Sequence, residues 1–282
     1  MFNLITSDQD LNFLAKELTS SKVIAVDTEF RRTSKENMRL ALIQINDNQE
    51  IYIIDCLVID SYLELLKVFE NSNIVKIFHS CREDIEALYS WTNGKITNIH
   101  DTQLANAFLG NELSISYQGI VKEKFGIELK KGETRSNWIR RPLRESQLDY
   151  AALDVEYLLD IYEAQKIELL ATGKDSWLKE EAELMVRNFF SSLVDTSDDD
   201  QVKFPISKSH QNLILSDLDK IVERVAHHHS INKALLFSRK NQKDFLRDFF
   251  YKDLNQAMIL RGEWRRQLIF DEIRELFLKI VV

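Results

Sequence analysis

Apolar and polar positions alternate with two different periods along this chain, and the change between them marks its architecture. Leu11, Leu14, Ala15 and Leu18 recur at helical spacing and predict a short first helix capped by Ser7 or Asp8. Lys22–Phe30, Arg39–Ile45 and Glu50–Asp55 are apolar runs of strand length, with Asp47 and Asn48 as a tight connection between the last two. Three strands joined by short loops predict an antiparallel meander.

From Asp60 onward helix and strand alternate. Helices are expected at Tyr62–Phe69, Glu83–Trp91, Thr102–Leu109, Tyr117–Phe125, Glu145–Leu170 and Ser176–Phe190, with strands at Ile74–Phe78 and Ile96–Ile99. A meander followed by β-α-β segments predicts an α/β fold, a mixed sheet flanked by helices. Ser191–Lys208 breaks the pattern with an acidic, polar stretch over Asp195–Asp200 and reads as a solvated linker. Beyond it only helices are expected: Leu213–His228, Lys233–Phe237, Gln242–Phe250 and Glu263–Lys279. The expected domains are therefore 1–190, a linker over 191–208, and a small all-α domain over 209–282.

Charge sharpens the division. The chain of 282 residues carries a formal net charge of −8, unfavourable at first sight for a nucleic-acid partner. Yet residues 206–282 hold 14 Lys+Arg against 10 Asp+Glu, so the excess of acid lies in the first part. No apolar run approaches the ~20 residues that span a bilayer, so no membrane is expected. The beginning shows no secretory signal, and two cysteines, Cys56 and Cys81, are too few for a disulfide framework. A cytoplasmic protein is expected.

The candidate chemistry is carboxylate chemistry. Asp27 and Glu29 are two apart on a strand and leave the same face of the sheet. Paired anions repel, and a divalent cation with a preference for hard oxygen, magnesium or manganese, relieves them. Asp84 sits in the first turn of a helix, where it also complements the positive helix terminus. Tyr150 and Asp154 lie one turn apart on one helix face, among apolar neighbours that leave both in need of a polar partner.

Taken together, Val26-Asp27-Thr28-Glu29-Phe30, His79-Ser80-Cys81-Arg82-Glu83-Asp84 and Tyr150-Ala151-Ala152-Leu153-Asp154 resemble, in order, the three motifs of the DEDDy branch of the DEDD exonuclease superfamily, and within it the ribonuclease D family. Leu42–Ile45, His100–Gln103, Trp138 and Arg141-Pro142-Leu143 agree with it as flanking text, and the resemblance covers about residues 1–190. It implies a ribonuclease-H-like fold and 3′→5′ hydrolysis that trims tRNA precursors and other RNAs to nucleoside 5′-monophosphates. It also implies two divalent cations, Mg2+ or Mn2+. On the resemblance, Asp27 bridges both ions, Glu29 and Asp154 complete the site of the water-activating ion, Asp84 holds the second, and Tyr150 orients the attacking water.

Four further residues are candidates for substrate contact. Phe30 is placed to stack on a terminal base or to pack in the core, and His79 to touch phosphate or to serve a structural role. Asp101 reads as a helix N-cap rather than a ligand. Ser230–Lys240 and Gly262–Leu268 resemble a helicase-and-RNase-D C-terminal (HRDC) domain, with Lys233, Arg239, Lys240, Lys243, Arg261, Arg265 and Arg266 as its basic groups. Of these, Arg239 and Arg265 are the expected RNA contacts. The family commonly carries two such helical domains, and this chain has room for one. The expected partner is RNA, bound by a monomer. A single-stranded DNA exonuclease and an inactive RNA-binding relative are the alternatives.

Overall fold

The computed structural model describes residues 1–34, 37–129, 132–194 and 205–278. Six strands form one sheet: β1 Phe2–Ile5, β2 Val23–Arg32, β3 Met38–Asn46, β4 Ile51–Asp55, β5 Val75–Phe78 and β6 Ile99–Asp101. Their spatial order is β1-β4-β3-β2-β5-β6. The meander β2-β3-β4 is antiparallel as expected, while β1, β5 and β6 each join in parallel. The sheet is therefore mixed, and the expected α/β class is what the structure has.

Helices cover both faces. α1 (Asp8–Leu18), α2 (Leu63–Glu70) and α3 (Arg82–Thr92) pack with Ile24, Val26, Ile43 and Ile45 on one face. After α4 (Thr102–Phe108), α5 (Tyr117–Phe125), α6 (Glu145–Glu156) and α7 (Leu158–Ala171) cover the other, over Ala25, Ile77, Leu42 and Ile53. Alternate residues of β2 thus serve different sides, as the period of a strand requires. α1 buries Leu11, Leu14, Ala15 and Leu18, with Ser7 as its cap.

Four elements depart from the periodicity, the first being β6, which starts at Ile99, where the strand expected over Ile96–Ile99 ends, and runs on to Asp101. β1 was not expected, because only Ile5 of its four residues is buried and the edge strand has no apolar alternation to reveal it. The single helix expected over Glu145–Leu170 is two, divided at Tyr157. There the Tyr117 hydroxyl accepts from the Tyr157 N–H at 3.0 Å and donates to the Leu153 carbonyl at 2.9 Å. Asn46 adds a 3.1 Å bond to the Val155 carbonyl. Side chains from α5 and β3 take over hydrogen bonds at the end of α6, so helix continuity is lost without leaving those groups bare. The fourth is α12, introduced below.

The remaining helices are α8 (Asp175–Val194), α9 (Lys208–His228), α10 (Lys233–Phe237), α11 (Arg239–Tyr251), α12 (Leu254–Ile259) and α13 (Glu263–Leu278). Only α12 was not expected; it buries just the adjacent Ala257 and Met258, which show no helical spacing. The acidic stretch Asp195–Asp200 lies outside the described residues. The helices after residue 206 share one apolar cluster with α4, α7 and α8, through Phe108, Leu169 and Leu178. Trp264 stacks on Trp177 and meets Phe108 edge-on. The Lys174 ammonium bridges the Phe108 and Ser230 carbonyls at 2.8 Å each. No helix among the described residues is long and apolar enough to cross a membrane.

Candidate active site

The site is assembled from β2, the turn into α3, and α6. Asp27 and Glu29 project from β2 toward α6, and Asp154 on α6 meets them: one oxygen of each lies within 4.8 Å of the others. Thr28, between the first two, points to the opposite side and donates to Asp84 at 2.5 Å. Asp84 is therefore held behind the strand, buried, rather than within the group of three. The Tyr150 phenol lies one helical turn from Asp154, whose charged form it favours, and 3.2 Å from the Thr134 hydroxyl. Asp27, Glu29, Asp154 and Tyr150 line a cleft of ≈ 210 Å³ together with His79, Tyr117, Gln118 and Thr134.

Its electrostatics are those of crowded anions. Burial, and then the neighbouring Asp84, Asp154 and Glu29, push the Asp27 carboxyl well above its ordinary range. Burial and the other carboxylates raise Glu29 to about 9. Asp84 and Asp154 rise to about 7, again chiefly by burial, against hydrogen bonds from Thr28 and Tyr150 that lower them. Burial and Asp154 raise the Tyr150 phenol, which stays a neutral donor. The charged neighbours that shift these four carboxyls are all other carboxyls. Hard oxygen donors in mutual repulsion, without a basic group to neutralise them, are the donor set that a divalent cation fits.

Several supporting residues are legible only in three dimensions. Asp101 caps α4, as the sequence predicts, through the Gln103 and Leu104 N–H groups. Its two oxygens also accept from the Ser80 and Cys81 N–H groups at 3.0 and 2.9 Å. Ser80 has a φ of 65°, unusual for a residue with a Cβ, and the two hydrogen bonds to Asp101 pin that turn and hence the start of α3. Gln44 is the register partner of Asp27, fully buried, and neither of its amide atoms has a partner. Gln118 and Thr134 sit in loops or helix starts with no motif to flag them.

The substrate-contact candidates fall differently. Phe30 packs against the apolar cluster of α1, α2 and α3, on the opposite face of β2 from Asp27. His79 lines the cleft, but both ring nitrogens are engaged: Nε2 lies 3.0 Å from the Ile115 carbonyl and Nδ1 2.8 Å from the Thr102 hydroxyl. Burial lowers its pKa, as expected of a structural histidine. Arg239 is exposed and pairs with Asp219 at 2.8 Å, away from the cleft. Arg265 corrects the sequence reading. It is 3% exposed, and its guanidinium is committed to Glu181 and to the carbonyls of Leu235, Leu236 and Arg261. It joins α13 to α8 and offers nothing to a ligand.

Comparison with known proteins agrees with this geometry. A 3′-5′ exonuclease family model matches residues 2–169, which takes in all the cleft carboxylates. The chain is 35% identical over 185 residues, 66% of its length, to a ribonuclease D of Shewanella sp. (strain ANA-3), and covers 48% of that protein. Against ribonuclease D of Escherichia coli (strain K12) the identity is 36% over 177 residues, covering 63% of this chain and 46% of the relative. The chain thus spans about half the length of these curated relatives. A solved Escherichia coli RNase D structure superposes with a TM-score of 0.84 at 22% identity, covering 99% of each chain. The catalytic core of RRP6 from Trypanosoma brucei does so with a TM-score of 0.61 at 20% identity, over 99% of this chain and 80% of that one. With a family model matching more than half of its residues and the carboxylates in place, the chain belongs to the 3′-5′ exonuclease family.

Proposed function

We propose that the protein is a metal-dependent 3′→5′ exoribonuclease of the ribonuclease D type, releasing nucleoside 5′-monophosphates. The observation that carries the reading is the meeting of Asp27, Glu29 and Asp154 within 4.8 Å, with Tyr150 one helical turn from Asp154 and Asp84 behind them. Asp27, Glu29 and Asp154 hold one divalent cation, Mg2+ or Mn2+. Asp84, whose charge acts on Asp27 from behind the strand, serves a second. Bound there, such cations neutralise the carboxylates and polarise a phosphodiester and a water.

The chain's own residues do the rest. α6, held at its end by Tyr117 and Asn46, presents Asp154 and Tyr150 to β2. The Tyr150 hydroxyl, between Asp154 and Thr134, orients the attacking water toward the scissile phosphorus. No serine, cysteine or histidine nucleophile is needed. His79 is neutral and spent on Ile115 and Thr102, and both cysteines are buried thiols.

RNA with a 3′ single-stranded end is the proposed substrate, tRNA precursors among them. Support comes from the ribonuclease D relatives and from the Escherichia coli structure, described as an exoribonuclease involved in structured RNA processing. The helices after residue 208 form the proposed HRDC-like domain, packed on the exonuclease part. A monomer acting in a reducing cytoplasm fits the two free cysteines.

The test is digestion of a 5′-labelled, 3′-extended tRNA with Mn2+, Mg2+ or EDTA, beside Asp27→Ala and a single-stranded DNA of matched sequence. A metal-dependent ladder shortening from the 3′ end of the RNA, absent with Asp27→Ala, supports the reading. No shortening by folded, metal-supplied protein overturns it.

A further inference from the structure

β2 continues past the carboxylates, and there it carries basic residues. Arg31 and Arg39 are register partners on β2 and β3. The ladder pairs Glu29 with Leu42 and then Phe30 with Leu40, so the irregularity takes up Ala41 on β3 and leaves the alternation of β2 intact. Ile24, Val26, Phe30 and Leu40 all lie in the cluster with α1, α2 and α3. Arg31 and Arg39, one step beyond the Phe30–Leu40 pair, therefore leave the sheet on the other face, the one from which Asp27 and Glu29 project.

Both arginines are exposed, and among the described residues neither has an ion pair or a side-chain hydrogen bond. Their neighbour Arg32, on the opposite face, is bonded to Glu86 at 2.5 Å and lies 3.6 Å from Glu83. Like charges placed directly across an antiparallel pair repel and weaken it. Two residues of strand, about 6–7 Å, separate Arg31 from Glu29, whose carboxyl belongs to the cleft. An opposed and uncompensated pair of guanidinium groups at this place fits an anion brought from outside, and the planar fork of arginine suits phosphate.

The inference rests on the exonuclease reading above. In that reaction the scissile phosphate departs with the terminal nucleotide, so every other phosphate of the substrate lies on its 5′ side. We propose that Arg31 and Arg39 form a two-arginine clamp on backbone phosphates 5′ of the scissile bond, holding the RNA strand along the β2–β3 ladder. The clamp gives an acidic protein a local cationic hold next to its acidic site, where net charge alone would repel the strand.

The experiment compares Arg31→Gln/Arg39→Gln with its parent. Binding of a fluorescent single-stranded RNA is followed by anisotropy over about 50–200 mM salt, in an Asp154→Asn background that prevents cleavage. The pair of substitutions is expected to weaken binding about 10-fold and to reduce the slope of log Kd against log salt by about 1.4, two phosphates at ~0.7 each for a single strand. In the cleaving chain the loss falls on KM rather than kcat and grows with the length of the 5′ strand. The melting temperature stays level or rises, since a repulsion has been removed. An unchanged affinity and salt slope, with the chain that retains Asp154 still shortening RNA, overturns the clamp and leaves the exonuclease standing. A chain with Asp154 intact that shortens no RNA overturns both.

Discussion

Thr28 donates its hydroxyl to Asp84 across 2.5 Å from the face of β2 opposite to Asp27 and Glu29. One strand thus serves both sides of the site: two carboxylates forward, and one hydroxyl back to fix the carboxylate on α3. A D-T-E sequence does this because successive strand side chains alternate, so the middle residue of the motif is free to bind what lies behind.

Thr28→Val tests that link. It keeps the shape and removes the donor, which leaves a buried carboxyl short of a bond; hydrogen bonds to charged groups are worth about 1.5–3 kcal/mol. Mn2+ affinity by calorimetry is expected to fall roughly 10-fold, close to the 1.4 kcal/mol that a decade represents, and Thr28→Ser to restore most of it. Equal affinities in Val and Ser variants would show that the hydroxyl does not hold Asp84.

The carboxyl crowding gives the metal-free protein a definite pH dependence. Glu29 at about 9 and Asp84 and Asp154 at about 7 are raised above their ordinary values near 4, so the folded state holds more protons than the unfolded one between those limits. Stability is then fullest below about pH 4 from these groups and is lost as pH rises toward 9. In EDTA the melting temperature should fall across that window, and Asp27→Asn should raise it at pH 8 by about 2–4 °C for each kcal/mol of repulsion relieved. The same substitution is expected to abolish Mn2+ binding and cleavage. A flat metal-free profile would contradict the crowding.

Tyr117→Phe should act at a distance. Its hydroxyl bridges Leu153 and Tyr157, so its loss strands a buried N–H and C=O at the break between α6 and α7. A cost of about 2 kcal/mol is expected, read by denaturant unfolding, with lower kcat because Asp154 and Tyr150 ride on α6. Stability lost without any change in kcat would separate the break from the site.

Gln44→Met runs the other way. The amide is fully buried with both polar atoms unpartnered, so an apolar side chain of like shape should stabilise the metal-free protein by about 1 kcal/mol. A drop in melting temperature would instead reveal a bound water or carboxylate on the amide.

Much of this was written in local pattern. Strand alternation put Asp27 and Glu29 on one face, helical spacing put Tyr150 beside Asp154, and the apolar stripe of α1 was the stripe that it buries. Spacing along one element paired Asp27 with Glu29 and Tyr150 with Asp154, and the family resemblance joined those pairs to each other and to Asp84. Asp101 shows the limit: its cap on α4 was legible, its grip on the Ser80–Cys81 turn was not, since that turn lies about twenty residues upstream.

What only the tertiary structure decided concerns side chains whose partners are remote in sequence. Arg265 and Arg239 look alike on mixed helices, yet Arg265 is sealed against Glu181 and Arg239 stays at the surface. Arg31 and Arg39 became a pair only when the β2–β3 register was known. The break at Tyr157 required a hydroxyl from α5, forty residues away. The sequence by itself determined which faces are apolar, that Asp27 and Glu29 share one face of a strand, and that Tyr150 and Asp154 lie one helical turn apart, because those depend on periods of two and 3.6 residues. Packing between distant elements determined which polar groups are spent inside the protein and which remain for a substrate, because that depends on partners no local period encodes.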